Sequence, residues 1–223
     1  MRELVIACSM LEDEVREAMR QTGRELPVLW IDRGLHEYPE RLREELRSRI
    51  DSTDDAEVIM LTFALCGNAL AGIGSKHAKL VLPKFDDCIH ILTSKEPGSR
   101  GEVDCRTLYY TGGWLKSEKF IGNEFESCLR RYGPKKTKFI YDAMLKNYRS
   151  VQLLDTQSYD MREYRGLAAD TAARLGLTYS EGTGSLRILK KLFLGEWDDE
   201  FLIALPGEQF RMEQFIPSRS GGA

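Results

Sequence analysis

Apolar runs of strand length alternate with segments of helical periodicity along most of the chain. The N-terminal part contains such runs at residues 4–8, 28–32, 57–65 and 78–82. Between the first two runs, residues 9–21 place their apolar side chains at the spacing of an amphipathic helix. Strands joined by helical segments of this length are expected to pair in parallel, because a tight turn joins only antiparallel strands.

The C-terminal part continues the alternation around a longer helical region. Residues 107–111, 150–156 and 200–205 are strand-like, and helices are predicted at 117–147 with a break at Gly133-Pro134, at 161–175 and at 186–194. The pattern therefore predicts an α/β fold: a largely parallel, Rossmann-like three-layer sandwich of about seven strands with a helical insertion in the middle.

The chain length of 223 residues fits a single α/β domain, which we assign to residues 1–210. Serine, glycine, proline and charged residues dominate residues 93–106, where we expect a surface loop and a boundary between two lobes. Residues 211–223 show no periodic pattern, and a flexible tail is predicted there.

Composition narrows the classes of partner and the cellular location. A net charge of -3 gives no electrostatic reason to expect nucleic acid or an anionic membrane as partner. The chain enters a strand directly and has no apolar run of about 20 residues, so a cytoplasmic location is expected. Five cysteines, an odd number, favour reduced thiols or metal ligands over a disulfide framework. The common nucleotide-binding, hydrolase and zinc-protease motifs are absent from the sequence.

Four side chains suited to metal binding each follow a different predicted strand: Cys8, His36, Cys66 and Cys88. The carboxyl ends of neighbouring parallel strands lie about 5 to 15 Å apart at one edge of a sheet, so these side chains are candidate ligands of one centre. Three thiolates and an imidazole would form a tetrahedral zinc site, and three thiolates with an open position would hold a [4Fe-4S] cluster. The spacing lacks a CxxC signature. The alternative interpretation is that these cysteines pack as small apolar side chains at strand ends.

Polar and small residues near these strand ends are candidates for supporting roles. Asp87 is expected to activate water or orient a ligand beside the metal, whereas Asp86 is expected to cap the next helix. Gly67 and Asn68 are suited to the close approach of a cofactor.

A glycine-rich segment near the C-terminus has the ingredients of an anion site. Gly182, Gly184 and Ser185 precede a basic helix that carries Arg187, so backbone N–H groups and positive charge are expected near a phosphate or carboxylate. Ser185 as a helix cap is the alternative interpretation of the same residues.

Several short motifs, taken together, resemble one protein family over most of the chain. They are Ala7-Cys8 with Glu14, Leu35-His36 before a proline-led helix, Leu65-Cys66-Gly67-Asn68, Asp87-Cys88-Ile89, Tyr109-Tyr110-Thr111 with Gly113-Trp114, Gly184-Ser185-Leu186-Arg187 and Pro206-Gly207. The family is bacterial and archaeal, of unknown function, and its members are often encoded near corrinoid-dependent methyltransferases. The resemblance implies that Cys8, Glu14, His36, Cys66 and Cys88 occupy recurring positions, and that His90 replaces a residue that is usually small.

The resemblance and the strand-end thiols lead to one hypothesis and two alternatives. The hypothesis is a zinc-thiolate protein of corrinoid-linked methyl metabolism, in which zinc activates a thiol substrate towards a methyl donor and Asp87 or Glu14 accepts the thiol proton. Its expected partners are a small thiol or methylated compound and a corrinoid protein. One alternative is an iron-sulfur redox or assembly partner of a corrinoid protein. The other is a metal-free binding module for a small ligand, with thiols that only pack.

Overall fold

The computed structural model describes residues 2–215, which divide into two compact units. One unit combines the residues up to 101 with those from 185 onwards, and the other comprises residues 102–184. The first boundary falls within 93–106, where the sequence predicts a lobe boundary. Residues 216–223, the end of the predicted tail, lie outside the described residues.

The described residues contain eight strands and seven α-helices. The strands are β1 (Glu3–Cys8), β2 (Val28–Ile31), β3 (Val58–Thr62), β4 (Lys79–Pro83), β5 (Thr107–Tyr110), β6 (Ser150–Asp155), β7 (Thr178–Thr183) and β8 (Phe201–Ala204). The helices are α1 (Glu12–Thr22), α2 (Pro39–Asp51), α3 (Cys88–Thr93), α4 (Gly112–Leu115), α5 (Ile121–Met144), α6 (Met161–Leu175) and α7 (Arg187–Leu194). Short 3-10 helices occupy Ser9–Leu11, Arg33–Glu37 and Met212–Gln214.

The strands form two sheets, one in each unit. The first unit has the strand order β2-β1-β3-β4-β8, in which the first four strands are parallel and β8 runs antiparallel to β4. The second unit has the parallel order β5-β6-β7. The largely parallel, Rossmann-like α/β fold predicted from the sequence is therefore confirmed, and the division of the strands between two sheets is a feature that only the structure gives.

Helices cover both faces of the first sheet. Side chains alternate between faces along a strand, so Ile6 and Leu61 point to one face and pack with Leu46 of α2. The other face lies under α1 and α7, which also pack against each other. This arrangement is the predicted sandwich of helix, sheet and helix layers, and it aligns the carboxyl ends of β1, β3 and β4 along one edge.

In the second unit, the long helical segment between β5 and β6 is α5, and its backbone breaks where the sequence predicts. Gly133 has a φ of 74°, outside the helical region, and Pro134 follows it. Helix α6 begins and ends where its apolar spacing predicts, and it packs on β6 and β7.

Two segments differ from the sequence interpretation. Residues 178–183, expected as the approach to a glycine-rich turn, form β7, an edge strand whose Gly182 pairs with Leu154. This strand is largely exposed on both faces, so it lacks the alternation that reveals a half-buried strand. Residues 211–215, assigned to the tail, contain a 3-10 helix, and Phe215 is buried in the core of the first unit.

Candidate functional site

The strand order of the first unit reverses between the carboxyl ends of β1 and β3, and we call this position the crevice. Strand β1 lies between β2 and β3, so the connection after β1 leads to one side of it and the connection after β2 leads back to the other side. Ligands of open α/β sheets bind in the crevice at such a reversal. Cys8 is the last residue of β1, and Cys66 follows the end of β3 by a short loop. Two of the predicted ligands therefore border the crevice.

The three strand-end thiols lie near enough to one another to affect their ionisation. Burial is the main cause that raises the pKa of Cys66 to about 12, and Cys8 and Asp87 raise it further. Burial also raises the pKa of Cys8, to about 11, with a partly opposing hydrogen bond from the Met10 backbone. Burial raises the pKa of Cys88 as well, and the neighbouring charges that contribute are those of Cys66, Asp87, Cys8 and Glu14. The structure thus gathers three predicted thiols and two predicted carboxylates into one neighbourhood.

The raised pKa values define the chemistry of these thiols in the absence of a metal. All three are protonated and neutral near pH 7, because their pKa values lie well above it. A protonated thiol is a poor nucleophile and a poor ligand. A metal ion would bind here by displacing the thiol protons.

The side-chain positions do not yet form the coordination sphere of a single ion. Within residues 2–215, no group of three or more histidine, cysteine, aspartate or glutamate side chains is arranged to hold a metal ion. The three thiols therefore lie near one another, as the sequence predicts. Their binding of a metal stays a prediction.

His36 lies in the 3-10 helix that follows β2, beside the end of β1. The N–H of Arg33 in the same helix donates to Oγ of Ser9 at 3.0 Å, and the charges of Asp32 and Arg33 act on Cys8. The imidazole Nδ1 of His36 is hydrogen-bonded to the carbonyl oxygen of Arg33. Since a carbonyl only accepts, Nδ1 is the donor, and Nε2 is the nitrogen through which this imidazole would bind a metal.

Cys66 stands in a strained turn that fixes the loop after β3. Cys66, Gly67 and Asn68 all have left-handed backbones, with φ of 46°, 61° and 74°. The left-handed region is costly for a residue such as cysteine, and strain of this kind concentrates at functional sites. The N–H of Cys66 donates to the carbonyl of Asp86 at 3.3 Å, which ties this turn to the segment before Cys88.

We expect the Cys66→Gly variant to be more stable than Cys66→Ala by about 1 kcal/mol, because glycine adopts the left-handed backbone without the steric cost that alanine has. Chemical denaturation of both variants measures the difference. Ala64→Gly serves as a control for the loss of a methyl group in the same loop and should destabilise the protein. A Cys66→Gly variant that is less stable than Cys66→Ala would show that the turn is not strained.

Gly67 and Asn68, predicted to bind a cofactor, shape this turn against α2. A Cβ atom on Gly67 would lie 3.2 Å from Cγ of Pro39, and the carbonyl of Asn68 accepts a 2.8 Å hydrogen bond from Arg43. Both residues are exposed beside the crevice. Their contact with a cofactor stays a prediction.

Asp87, rather than Asp86, caps the helix that begins with Cys88. The Asp87 carboxylate accepts the backbone N–H of His90 at 3.0 Å and is hydrogen-bonded to Nδ1 of His90 at 2.8 Å, while Asp86 pairs with Arg100 at 3.1 Å. The prediction that Asp86 forms the cap is therefore wrong, because a cap must directly precede the first helical residue. His90, which was not counted as a ligand, is instead the partner of Asp87.

This pairing changes the ionisation of both groups. Burial alone would raise the pKa of Asp87, but its hydrogen bonds with the side chain and backbone of His90 outweigh burial, and the pKa is lowered. The hydrogen bond with Asp87 raises the pKa of His90. A carboxylate with a lowered pKa is a weaker proton acceptor, so the pairing makes Asp87 less suited to accept a thiol proton.

Glu14 and Thr62 are buried polar residues near the same end of the sheet. Glu14 lies in the first turn of α1, is 0% exposed and acts on the thiol of Cys88. Thr62 ends β3, pairs with Ala7 and is also 0% exposed, and its hydroxyl has no hydrogen-bond partner within residues 2–215. A buried hydroxyl without a partner is uncommon and indicates space for water or a ligand group. Nothing in the local sequence distinguishes Thr62 from an ordinary strand residue.

The predicted anion site is divided between the two units. Gly182 and Gly184 belong to the second unit, where the N–H of Gly184 donates to the carbonyl of Asp155 at 2.7 Å. Ser185 belongs to the first unit, and its hydroxyl accepts the N–H of Arg187 at 3.1 Å. The Arg187 guanidinium is paired with a buried glutamate, which already balances its charge. Anion binding by these residues stays a prediction.

The fold and the strand-end residues define a Rossmann-like α/β protein with a thiol-rich crevice. Residues 30–193 match a family described as "Protein of unknown function (DUF1638)", and the chain belongs to this family. The predicted membership in a family of unknown function is thereby confirmed. No curated protein and no solved structure matches the chain. No helix within residues 2–215 is long and apolar enough to cross a membrane.

Proposed function

We propose that the protein binds a metal centre in the crevice through Cys8, Cys66 and Cys88, with His36 as fourth ligand or gate, and acts in corrinoid-linked methyl metabolism on a small thiol or methylated compound. The observation that supports the metal site is that three thiols, which follow three different strands, lie close enough for Cys8 to act on Cys66 and for Cys8 and Cys66 to act on Cys88. The metabolic assignment, with a corrinoid protein as partner and a cytoplasmic location, rests on the family resemblance.

The residues around the crevice supply complementary chemical roles. Zinc would hold a substrate thiol as the thiolate and so make it nucleophilic towards a methyl donor. Cys8, Cys66 and Cys88 would lose their protons to become ligands, and Glu14 is a fully buried carboxylate whose charge acts on Cys88. Nε2 of His36 would occupy the fourth position and would have to give way to the substrate thiol, because a catalytic zinc site keeps one position for substrate. Formation of the site requires the sulfur atoms to move together, since they are not arranged for one ion.

A [4Fe-4S] cluster is the second candidate for the same site, and the spacing of the thiols supports it. The thiols influence one another but do not surround a point that one ion would occupy. A cluster of four iron atoms is larger than a single ion and bridges thiolates that are farther apart. The protein would then be a redox or assembly partner of a corrinoid protein.

Metal, iron and sulfide analysis of anaerobically purified protein tests the proposal and separates its two forms. We expect about one zinc per chain for the first form, or iron with sulfide and absorbance at about 400 nm for the second. Cys8→Ser, Cys66→Ser and Cys88→Ser should each lose most of the metal. Cys105→Ser and Cys128→Ser are matched controls from outside the crevice and should retain it.

The same metal analysis can contradict the proposal. Wild-type protein without stoichiometric metal, or variants that keep wild-type metal content, would leave the metal-free binding module as the better account. Circular dichroism of every variant establishes that a loss of metal does not simply reflect unfolding.

A further inference from the structure

Strand β8 is the last strand of the first sheet, and only one of its edges is paired. The Lys84 N–H donates to the carbonyl of Glu200 at 2.8 Å. This bond shows which residues of β8 direct their backbone groups towards β4, namely every second residue counted from Glu200. Successive residues of an antiparallel strand direct their N–H and C=O groups to opposite sides. Leu202 and Ala204 therefore bond to β4, whereas Ile203 directs its backbone groups away from the sheet.

The outward N–H groups at both ends of β8 are already bonded, whereas the one at its centre is open. The N–H of Phe201 donates to the carbonyl of Asp198 at 3.0 Å, and the N–H of Leu205 donates to Oε2 of Glu208 at 2.9 Å. Within residues 2–215, no backbone bond joins Ile203 to anything beyond its own sheet. A single residue thus offers both a donor and an acceptor at this edge.

The side chains along β8 do not protect the edge. Residues 201–205 read FLIAL, with no charge and no proline, and the exposed fractions of Ile203 and Leu205 are 40% and 52%. Edge strands of soluble proteins are normally protected by charged residues, proline or a bulge, because an open apolar edge is a template for another strand.

We propose that β8 pairs with β8 of a second copy of this chain, antiparallel about a twofold axis at Ile203. Identical antiparallel strands related by a twofold place the same residue opposite itself, so that each Ile203 donates to and accepts from its counterpart. The N–H groups of Phe201 and Leu205 are already bonded, so within residues 2–215 a longer foreign strand would find only one outward N–H, that of Ile203, and this favours the short self-complementary pairing with a second copy. The dimer joins two five-stranded sheets into one of ten strands, and Ile203 and Leu205 bury their exposed surface there.

Sedimentation velocity of the full chain over about 10 to 200 µM tests the dimer through mass action. We expect wild-type protein to shift towards the dimer with concentration, and Ile203→Lys to remain monomeric because a charge at the axis would face its own copy. Phe139→Lys is the matched control: Phe139 is 75% exposed on α5 of the other unit, and its replacement should leave the dimer intact.

Amide hydrogen exchange gives a second readout that does not depend on a variant. The backbone N–H at Ile203 should exchange more slowly at high protein concentration than at low, while the exposed strand β7 should show no change. Wild-type protein that stays monomeric, an Ile203→Lys variant as dimeric as the wild type, or exchange at Ile203 that is independent of concentration would each overturn the proposal.

Discussion

Replacing Glu200 with glutamine should lower the free energy of unfolding by about 2 to 3 kcal/mol at pH 7. Glu200 is 7% exposed, and both of its oxygens accept from the Arg187 guanidinium at 2.6 Å. Lys191 contributes a further contact at 2.5 Å. Glutamine keeps the shape but removes the charge, so Arg187 would lose its carboxylate partner in an enclosed position and Lys191 would keep only Asp198.

The pH dependence of this effect follows from the pKa of Glu200. Burial alone would raise that pKa, but the hydrogen bonds from Arg187 and Lys191 and from the Gly98 N–H lower it from 4.5 to about 2. The folded-state pKa is depressed, so the stabilisation is present above about pH 4.5 and is lost as the pH falls towards 2. The wild type and Glu200→Gln should therefore converge in stability over this range.

Urea denaturation at several pH values measures both predictions. Asp199→Asn, an exposed change next to Glu200, is the control and should leave stability within about 0.5 kcal/mol of the wild type. An equal effect of the two variants, or a difference that persists at pH 2, would contradict the role given to the ion pair. The network also includes Ser94 at the end of α3, so Glu200→Gln should loosen the helix that positions Cys88.

If the crevice binds zinc through its three thiols, the affinity should fall about 1000-fold for each pH unit below neutrality. The thiols are protonated in the metal-free protein because burial raises their pKa values. Each thiol that becomes a ligand releases one proton, so each contributes a factor of about ten per pH unit. Lower pH therefore opposes binding.

Competition with a zinc-chelating dye, after correction for the pH dependence of the dye itself, measures this slope. Cys88→Ser should reduce the slope from about three protons to about two, and Cys128→Ser should leave it unchanged. A slope near zero in the wild type would show that zinc binds through groups other than these thiols. A slope unaffected by Cys88→Ser would exclude Cys88 as a ligand.

Local sequence pattern determined most of the secondary structure and the positions of the thiols. Buried parallel strands read as apolar runs, so the end of β1 and the place of Cys8 follow from the sequence. The run at 57–65 also predicts β3, but the strand ends at Thr62, and Cys66 follows in a turn rather than directly at the strand end. Periodicity also determined α6 to the residue. It did not reveal β7, because an edge strand exposed on both faces leaves no apolar alternation.

The tertiary structure alone decided which side chains interact. The pairing of Asp87 with His90 is local and had a signal in the sequence, an acidic cap with a hydrogen-bonding residue three positions later. The ion pair of Arg187 with Glu200 and the unpartnered hydroxyl of Thr62 depend on elements that meet only when the sheet assembles. Hydrophobic periodicity reports which face of each segment is buried, whereas hydrogen bonds and ion pairs join atoms across folded elements. The sequence by itself therefore determined the fold class and brought three thiols to one edge, and only the folded arrangement decided how those thiols are enclosed and which neighbours act on them.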